Sequence, residues 1–164
     1  MARDGLRGRR SDCPINYAVE VLGDRWSLVI LRDMVFWGKR TYGQFLTSDE
    51  SIATNVLAAR LRHLEKEGLI KRSSDPDDRR KDRYDLTESG LALIPVLIEL
   101  TCWSARNEGW GSLAHGGTPA QHGFVAGLLD ARKKRRLVRK VMAAARRGSH
   151  YFEGVTPVSN PRRK

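Results

Sequence analysis

The sequence predicts a mainly α-helical chain with one small β-hairpin, and three observations support that class. Apolar residues recur at the i, i+3, i+4 spacing of a helix face through much of the first 107 positions. One pair of strand-like runs, 69–73 and 83–86, brackets the turn-forming Asp75-Pro76-Asp77-Asp78. A strongly basic stretch with an apolar side lies in the C-terminal fifth of the 164 residues.

The elements follow in order. Residues 1–12 are polar and Arg-rich, and read as a flexible arm. Residues 14–22 place Ile15, Ala18, Val19 and Leu22 on one helical face, and Gly23 ends the run. Asp24 is suited to cap the next helix. That helix, 26–37, is apolar nearly all round (Trp26, Leu28, Val29, Ile30, Leu31, Met34, Val35, Phe36), as expected of a core helix buried on most sides. Gly38 closes it. Residues 40–42 suit a short strand, 43–46 one helical turn and 47–51 a polar turn. An amphipathic helix then spans 54–67. Leu57, Leu61 and Leu64 share one face, Asn55, Ala59, Arg62 and Lys66 lie opposite, and Gly68 stops it.

The hairpin occupies 69–86. Thr87 is placed to cap a helix reaching about Asn107, with Pro95 bending it or removing one backbone bond. Residues 109–119 are glycine-rich and read as a linker. Residues 121–129 are weakly helical. Residues 131–147 form a basic helix whose apolar part includes Leu137, Val138, Val141 and Met142. From Gly148 onward, Gly, Pro and Ser without an apolar period predict disorder. The organisation is therefore an arm (1–12), a folded domain (13–110), a linker with a short helix (111–130) and a basic helix with its tail (131–164).

Charge narrows the function classes. The chain holds 30 Lys/Arg against 19 Asp/Glu, a net +11. Residues 131–164 carry 12 Lys/Arg and one acid, so the first 130 residues balance at 18 each. A basic excess points to nucleic acid or another anionic surface. No apolar run approaches the ~18 residues of a membrane span, and the N-terminus lacks the apolar stretch of a secretory signal. The two cysteines, Cys13 and Cys102, are too few for a disulfide scaffold. The four histidines have no ligand spacing with each other or with the cysteines, so no metal and no cofactor are expected. No assembled nucleophile, base and oxyanion site is visible, so the chain does not read as an enzyme. A cytoplasmic location, with no membrane partner, is expected.

The order helix, helix, short helix, polar turn, amphipathic helix, hairpin is that of a winged helix-turn-helix. Burying the Leu57/Leu61/Leu64 face frees the opposite face to enter a major groove about 12 Å wide. Residues near the start of such a helix reach base edges; here these are Thr54, Asn55, Ala58 and Ala59, with Arg62 a turn further on. Asn55 suits adenine, Arg62 guanine or phosphate, and the alanines thymine methyls. Arg79, Arg80 and Lys81 at the hairpin tip, with Arg40 and Thr41, are candidates for the DNA backbone or minor groove. The alternative for the tip is a charged turn neutralised by Asp75, Asp77, Asp78 and Asp82. Arg60 is equally suited to pair with an acid in the body.

The runs CPINYAVEVLGDRWSLVILRDMVFWGKRTYGQFL, VLAARLRHLEKEGLIKR and YDLTESGLALIPVL resemble the HxlR-type transcriptional regulators, bacterial winged-helix proteins close in fold to the MarR group. The resemblance covers roughly 13–110. It implies a homodimer held by the first helix and the long helix after the hairpin, acting on double-stranded DNA at a near-palindromic operator in the nucleoid. It also implies that Cys13, just before the first helix, occupies the position of an oxidant or electrophile sensor. Three features depart from the pattern. Ala53 stands where a Ser or Thr usually caps the recognition helix, with Thr54 as substitute. Asp49-Glu50 bring negative charge near the phosphate path. Residues 111–164 have no counterpart.

Rival readings are a non-specific nucleoid-associated or RNA-binding protein driven by the basic tail, and a ligand or redox sensor whose winged domain binds a protein. Trp103 and Trp110 suit dimer packing or, alternatively, a small-molecule pocket.

Overall fold

The structure, a computed structural model, describes residues 10–76, 78–108 and 118–155. The first nine residues of the arm, Asp77, the glycine-rich linker through Gly117 with Trp110, and the tail from 156 lie outside the described residues.

Helix α1 spans Pro14–Leu22, opened by a proline whose missing N–H is not needed there. Helix α2 is Ser27–Phe36. Asp24 precedes it and accepts from the N–H groups of Trp26 (2.8 Å) and Ser27 (3.0 Å), as expected of a cap. Ile30, Leu31, Met34 and Val35 are at most 3% exposed, so α2 is the central core helix.

Helix α3, Tyr42–Leu46, starts with a capping box formed by Thr41 and Gln44. That box explains why the strand expected at 40–42 shrinks to a single bridge between Thr41 and Arg83. The Gln44 side-chain oxygen accepts from the N–H groups of Arg40 (2.7 Å) and Thr41 (3.0 Å), so neither donates to a ladder. Only the Arg40 carbonyl remains in the pairing, accepting from the Tyr84 N–H at 2.7 Å.

Helix α4 runs Thr54–Lys66 and buries Leu57, Leu61 and Leu64 to 1% exposure or less. Strands β1 (Ile70–Ser74) and β2 (Asp82–Leu86) form the antiparallel hairpin, with Ile70 opposite Leu86 and Arg72 opposite Tyr84. The single helix expected after the hairpin is two: α5 (Glu88–Leu91) and α6 (Ile94–Asn107). The break falls at Ala92 and Leu93. Pro95 sits in the first turn of α6, where its missing N–H is not needed, and it cannot continue the bonding of α5 back to Leu91.

Within Glu88–Asn107 an 18-residue window is apolar enough by composition to cross a membrane, which a reading of uninterrupted apolar runs does not register. Its inward residues Ile94, Leu97, Ile98 and Cys102 instead complete the core.

Helices α7 (Pro119–Leu129) and α8 (Ala131–Arg146) are capped by Thr118 and Asp130 respectively. They pack on each other, on α6 and, through α8, on α2 and α5. The expected disorder from Gly148 does not hold for the described residues to Val155. Phe152 is 6% exposed, its ring centroid 5.0 Å from that of Trp37 and 5.5 Å from that of Phe124. Its N–H donates to the Phe36 carbonyl at 3.2 Å. Two adjacent aromatics in a turn have no helical period, so pattern reading passes over them.

Candidate nucleic-acid interface

Three contacts besides the leucine face set the position of α4. The Tyr42 hydroxyl donates to the Thr54 carbonyl at 2.6 Å. Arg60 pairs with Asp24 at 3.3 Å, as one of the two sequence readings had it. His63 Nε2 lies 2.9 Å from the Val21 carbonyl. With that orientation fixed, Thr54, Asn55 and Arg62 are exposed and Ala58 and Ala59 half-buried. These five residues occupy the early, outward part of one helix. Ala53 is the N-cap, and no side chain caps the helix. Thr54 does not take that role, because it is already the first helical residue.

The wing is internally compensated in part. Asp78 receives Arg80 Nε at 3.0 Å and Lys81 Nζ at 3.3 Å, and Arg72 pairs with Asp82 at 3.2 Å. The hydrogen bond from Arg80 holds the Asp78 carboxyl below the usual carboxylate range. Arg79 is exposed and forms no ion pair with another described residue. A cleft of about 740 Å³ separates this tip from the start of α3, with Thr41, Gln44, Asp75, Lys81 and Tyr84 among its walls.

Arg40 is not on this surface. It is 5% exposed, donates to the carbonyls of Met34 (2.7 Å) and Lys39 (2.9 Å), and pairs with Asp85 at 3.4 Å. Burial pulls its guanidinium below the ordinary arginine range. It fastens the hairpin to the end of α2, so the expected backbone contact is corrected to a structural one. Thr41 is half-buried, with its hydroxyl accepting from the Gln44 N–H in the α3 cap.

Of the two acids expected near the phosphate path, Asp49 is exposed and Glu50 is neutralised. Glu50 takes Arg32 through both guanidinium nitrogens, at 2.5 and 3.0 Å, and that bond lowers the Glu50 carboxyl. Arg32 also bonds Asp33, a residue the sequence reading missed. Asp33 is 1% exposed and gathers Arg32, Lys39 (2.8 Å) and the Ser48 hydroxyl. An acid inside a helix apolar on most faces was the available signal, since buried charges are normally paired.

A second surface lies on α1 and α6. Ile15 (74%), Trp103 (63%), Val19 (52%), Val96 (45%) and Leu100 (41%) are exposed. A shallow apolar groove between the two helices is walled by Pro14, Ile15, Ala18, Val19, Leu28 and Val96. Cys13, an exposed free thiol, is the N-cap residue of α1 at the edge of this face, while Cys102 is buried. Among the described residues, no group of three or more His, Cys, Asp or Glu is suited to hold a metal.

Comparison with known proteins identifies the family and the fold. Residues 21–110 match the family described as HxlR-like helix-turn-helix. An uncharacterized HTH-type transcriptional regulator of Synechocystis, sll1512, is 39% identical over 88 residues, 54% of this chain and 64% of the relative. Rv3095 of Mycobacterium tuberculosis, of the same description, is 38% identical over 106 residues, 63% of this chain and 64% of the relative. The matched region thus spans just under two thirds of these relatives. Among solved structures, that of PA1607 is similar with a TM-score of 0.55 and 34% identity, covering 60% of this chain and 67% of the other. The redox regulator HypR in its oxidized form is similar with a TM-score of 0.52 and 28% identity, covering 57% of this chain and 96% of the other.

Proposed function

The chain belongs to the HxlR-like helix-turn-helix family, and from that premise we propose that it is a cytoplasmic, sequence-specific DNA-binding transcriptional regulator acting as a homodimer on a near-palindromic operator. The outward face of α4 carries the reading. Thr54, Asn55 and Arg62 stand exposed on a helix whose other face is fully buried, with the close-approach residues Ala58 and Ala59 between them. In this reading they enter the major groove, and Arg79, Arg80 and Lys81 follow the adjacent backbone. The second copy covers the apolar face of α1 and α6, whose exposed Ile15, Val19, Val96, Leu100 and Trp103 have the chemistry of a buried interface core. A two-fold dimer then sets half-sites about 10 bp apart, centre to centre, or a multiple of that.

The test is fluorescence anisotropy of the full chain on the duplex upstream of its own gene, against a scrambled duplex, at about 0.15 M salt. The native duplex is expected to bind about 10³-fold more tightly or better. Arg62→Ala should lose about 1–3 kcal/mol on the operator and little on scrambled DNA. Equal affinity of the unmodified chain for both duplexes rejects the reading for that site, and genome-wide fragment selection then decides between a distant operator and a non-specific binder.

An oxidant response through Cys13 extends this reading. The thiol is exposed, belongs to the residue at the N-cap position of α1, and lies in a chain resembling a redox regulator in fold. Cys13→Ser is expected to keep basal DNA binding and to lose any response to a quinone or hypochlorite. A response that persists in the variant clears Cys13 of the role.

A further inference from the structure

Helix α8 lies beyond the residues that match the family, which end at 110. It carries nine Lys/Arg and no acid between 131 and 147. Three of the nine are held by acids: Lys133 by Asp130, Lys134 by Glu99 at 2.6 Å, and Arg146 by Glu88 at 3.7 Å. The other six, Arg132, Arg135, Arg136, Arg139, Lys140 and Arg147, are exposed and pair with no described residue. At 100° per residue these six share an arc of about 140°. The opposite arc holds Leu137, Val138, Val141, Ala144 and Ala145, packed into the core.

We propose that this arc of α8 is a second, sequence-independent binding surface for the phosphate backbone of duplex DNA, separate from the α4 face. The proposal rests on the DNA-binding reading above and adds to it a rigid, pre-positioned cationic edge about 24 Å long, comparable in length to seven base pairs.

Three observations select duplex DNA over other polyanions. An amphipathic helix enters a membrane surface through its apolar face, and in α8 that face is buried around Val141, which is 0% exposed. Protein interfaces centre on buried aromatic or apolar anchors; the outward arc of α8 has none, and no α8 residue is among the exposed large hydrophobics. Single-stranded nucleic acid is held by stacking on aromatic side chains, which the arc also lacks. Backbone attraction alone asks only for clustered, unpaired cations.

The variant R132Q/R135Q/R136Q/R139Q/K140Q removes five of the six charges at exposed positions. Its binding to a mixed-sequence duplex of about 40 bp is measured by anisotropy across a salt series, next to unmodified protein and Arg62→Ala. Each lost phosphate contact removes about 0.9 from the slope of log K against log salt. The slope is expected to flatten by about 3 or more, with affinity at about 0.15 M salt falling at least tenfold. Arg62→Ala removes a single cation, so on this duplex it should flatten the slope by no more than about 1. Thermal melting checks the fold, and if the five-site variant melts early, R139E/K140E is read instead, with an expected flattening near 2.

An unchanged slope in a folded variant overturns the α8 proposal and leaves the α4 reading standing. Loss of binding to single-stranded RNA of equal charge, with duplex binding kept, also overturns it. Failure of the unmodified chain to bind any duplex at low salt overturns both readings together.

Discussion

Arg60 Nη1 lies 3.3 Å from Oδ2 of Asp24, joining the middle of α4 to the turn in front of the core helix. The same carboxylate accepts from two α2 N–H groups and from the Ser27 hydroxyl. One acid therefore starts α2 and fixes the roll of α4, so the exposure of Asn55 and Arg62 depends on a residue 31 positions or more away in sequence. The two functions of Asp24 are separable by substitution.

Asp24→Asn should keep most of the capping, because an Asn side-chain oxygen also accepts from N–H groups at a helix start. It should lose the charge that Arg60 pairs with, at a cost of about 0.2–1 kcal/mol. Burial pushes the Asp24 carboxyl up, and the hydrogen bonds from Ser27, Trp26 and Arg60 outweigh it, so it sits below the usual carboxylate range. A carboxyl lowered in the folded state contributes stability that is present above its unfolded value and is lost as pH falls through its folded value. Thermal melts from about pH 7 to about pH 3 should therefore show a shallower acid loss in the variant than in the unmodified chain. Parallel curves would remove Asp24 from the acid response.

Arg40→Ala should cost about 1–3 kcal/mol through the two carbonyls it leaves without a donor. Those are the Met34 and Lys39 carbonyls, at 2.7 and 2.9 Å. DNA affinity, corrected for the folded fraction, should stay unchanged, because the side chain is 5% exposed. Denaturant titration and anisotropy on the same preparation check both halves. A selective loss of DNA affinity at unchanged stability would return Arg40 to the interface.

Arg40 and Arg62 also mark the boundary of what the sequence discloses. Arg62 sits on a helix with a clean leucine period, so its outward direction follows from the period alone. Arg40 sits in a loop, where no period applies, and its burial arises only when the hairpin closes over the end of α2. The helix-turn-helix and its wing were legible for the first reason. Pro95 marked the interruption between α5 and α6, though not a full break. Asp33 and the docking of Phe152 were not legible, because each depends on partners distant in sequence or on consecutive residues without alternation. The cationic arc of α8 was visible as charge, while its rigid docking was visible only once Val141 and Ala145 had found the core.

Phe152→Ala should destabilise the chain by about 3–5 kcal/mol, as for a large aromatic removed from a core. Its ring touches Phe36, Trp37, Phe124 and Tyr151, which come from α2, the turn after it, α7 and its own segment. A stop codon after Arg147 should cost at least as much, so truncation does not isolate the effect of tail charge. Urea titration of both forms measures this. A truncated chain of unmodified stability would show that 148–155 rests on the core without supporting it.

Gly38 and His150 meet across 112 residues, and their contact allows a double-mutant cycle. Gly38 has φ +66, and a Cβ built on it would lie 2.2 Å from His150 Cδ2. Alanine there faces two separate penalties. Left-handed backbone costs an L-residue roughly 1–2 kcal/mol, and forcing a methyl against the imidazole adds about 1–3 kcal/mol of overpacking. The imidazole is held in turn, with Nδ1 3.2 Å from the Phe36 carbonyl, so it does not simply rotate away. Gly38→Ala should therefore lose about 2–4 kcal/mol, the sum of the two ranges less partial relaxation. In the background of His150→Ala the steric part disappears and only the backbone part remains, so the same glycine substitution should cost about 1–2 kcal/mol. The difference between the two losses is the coupling energy, readable from urea midpoints of the four proteins at constant slope. Equal losses in both backgrounds would mean that the imidazole does not press on this turn in solution, and that the C-terminal segment sits farther from α2 than the structure places it.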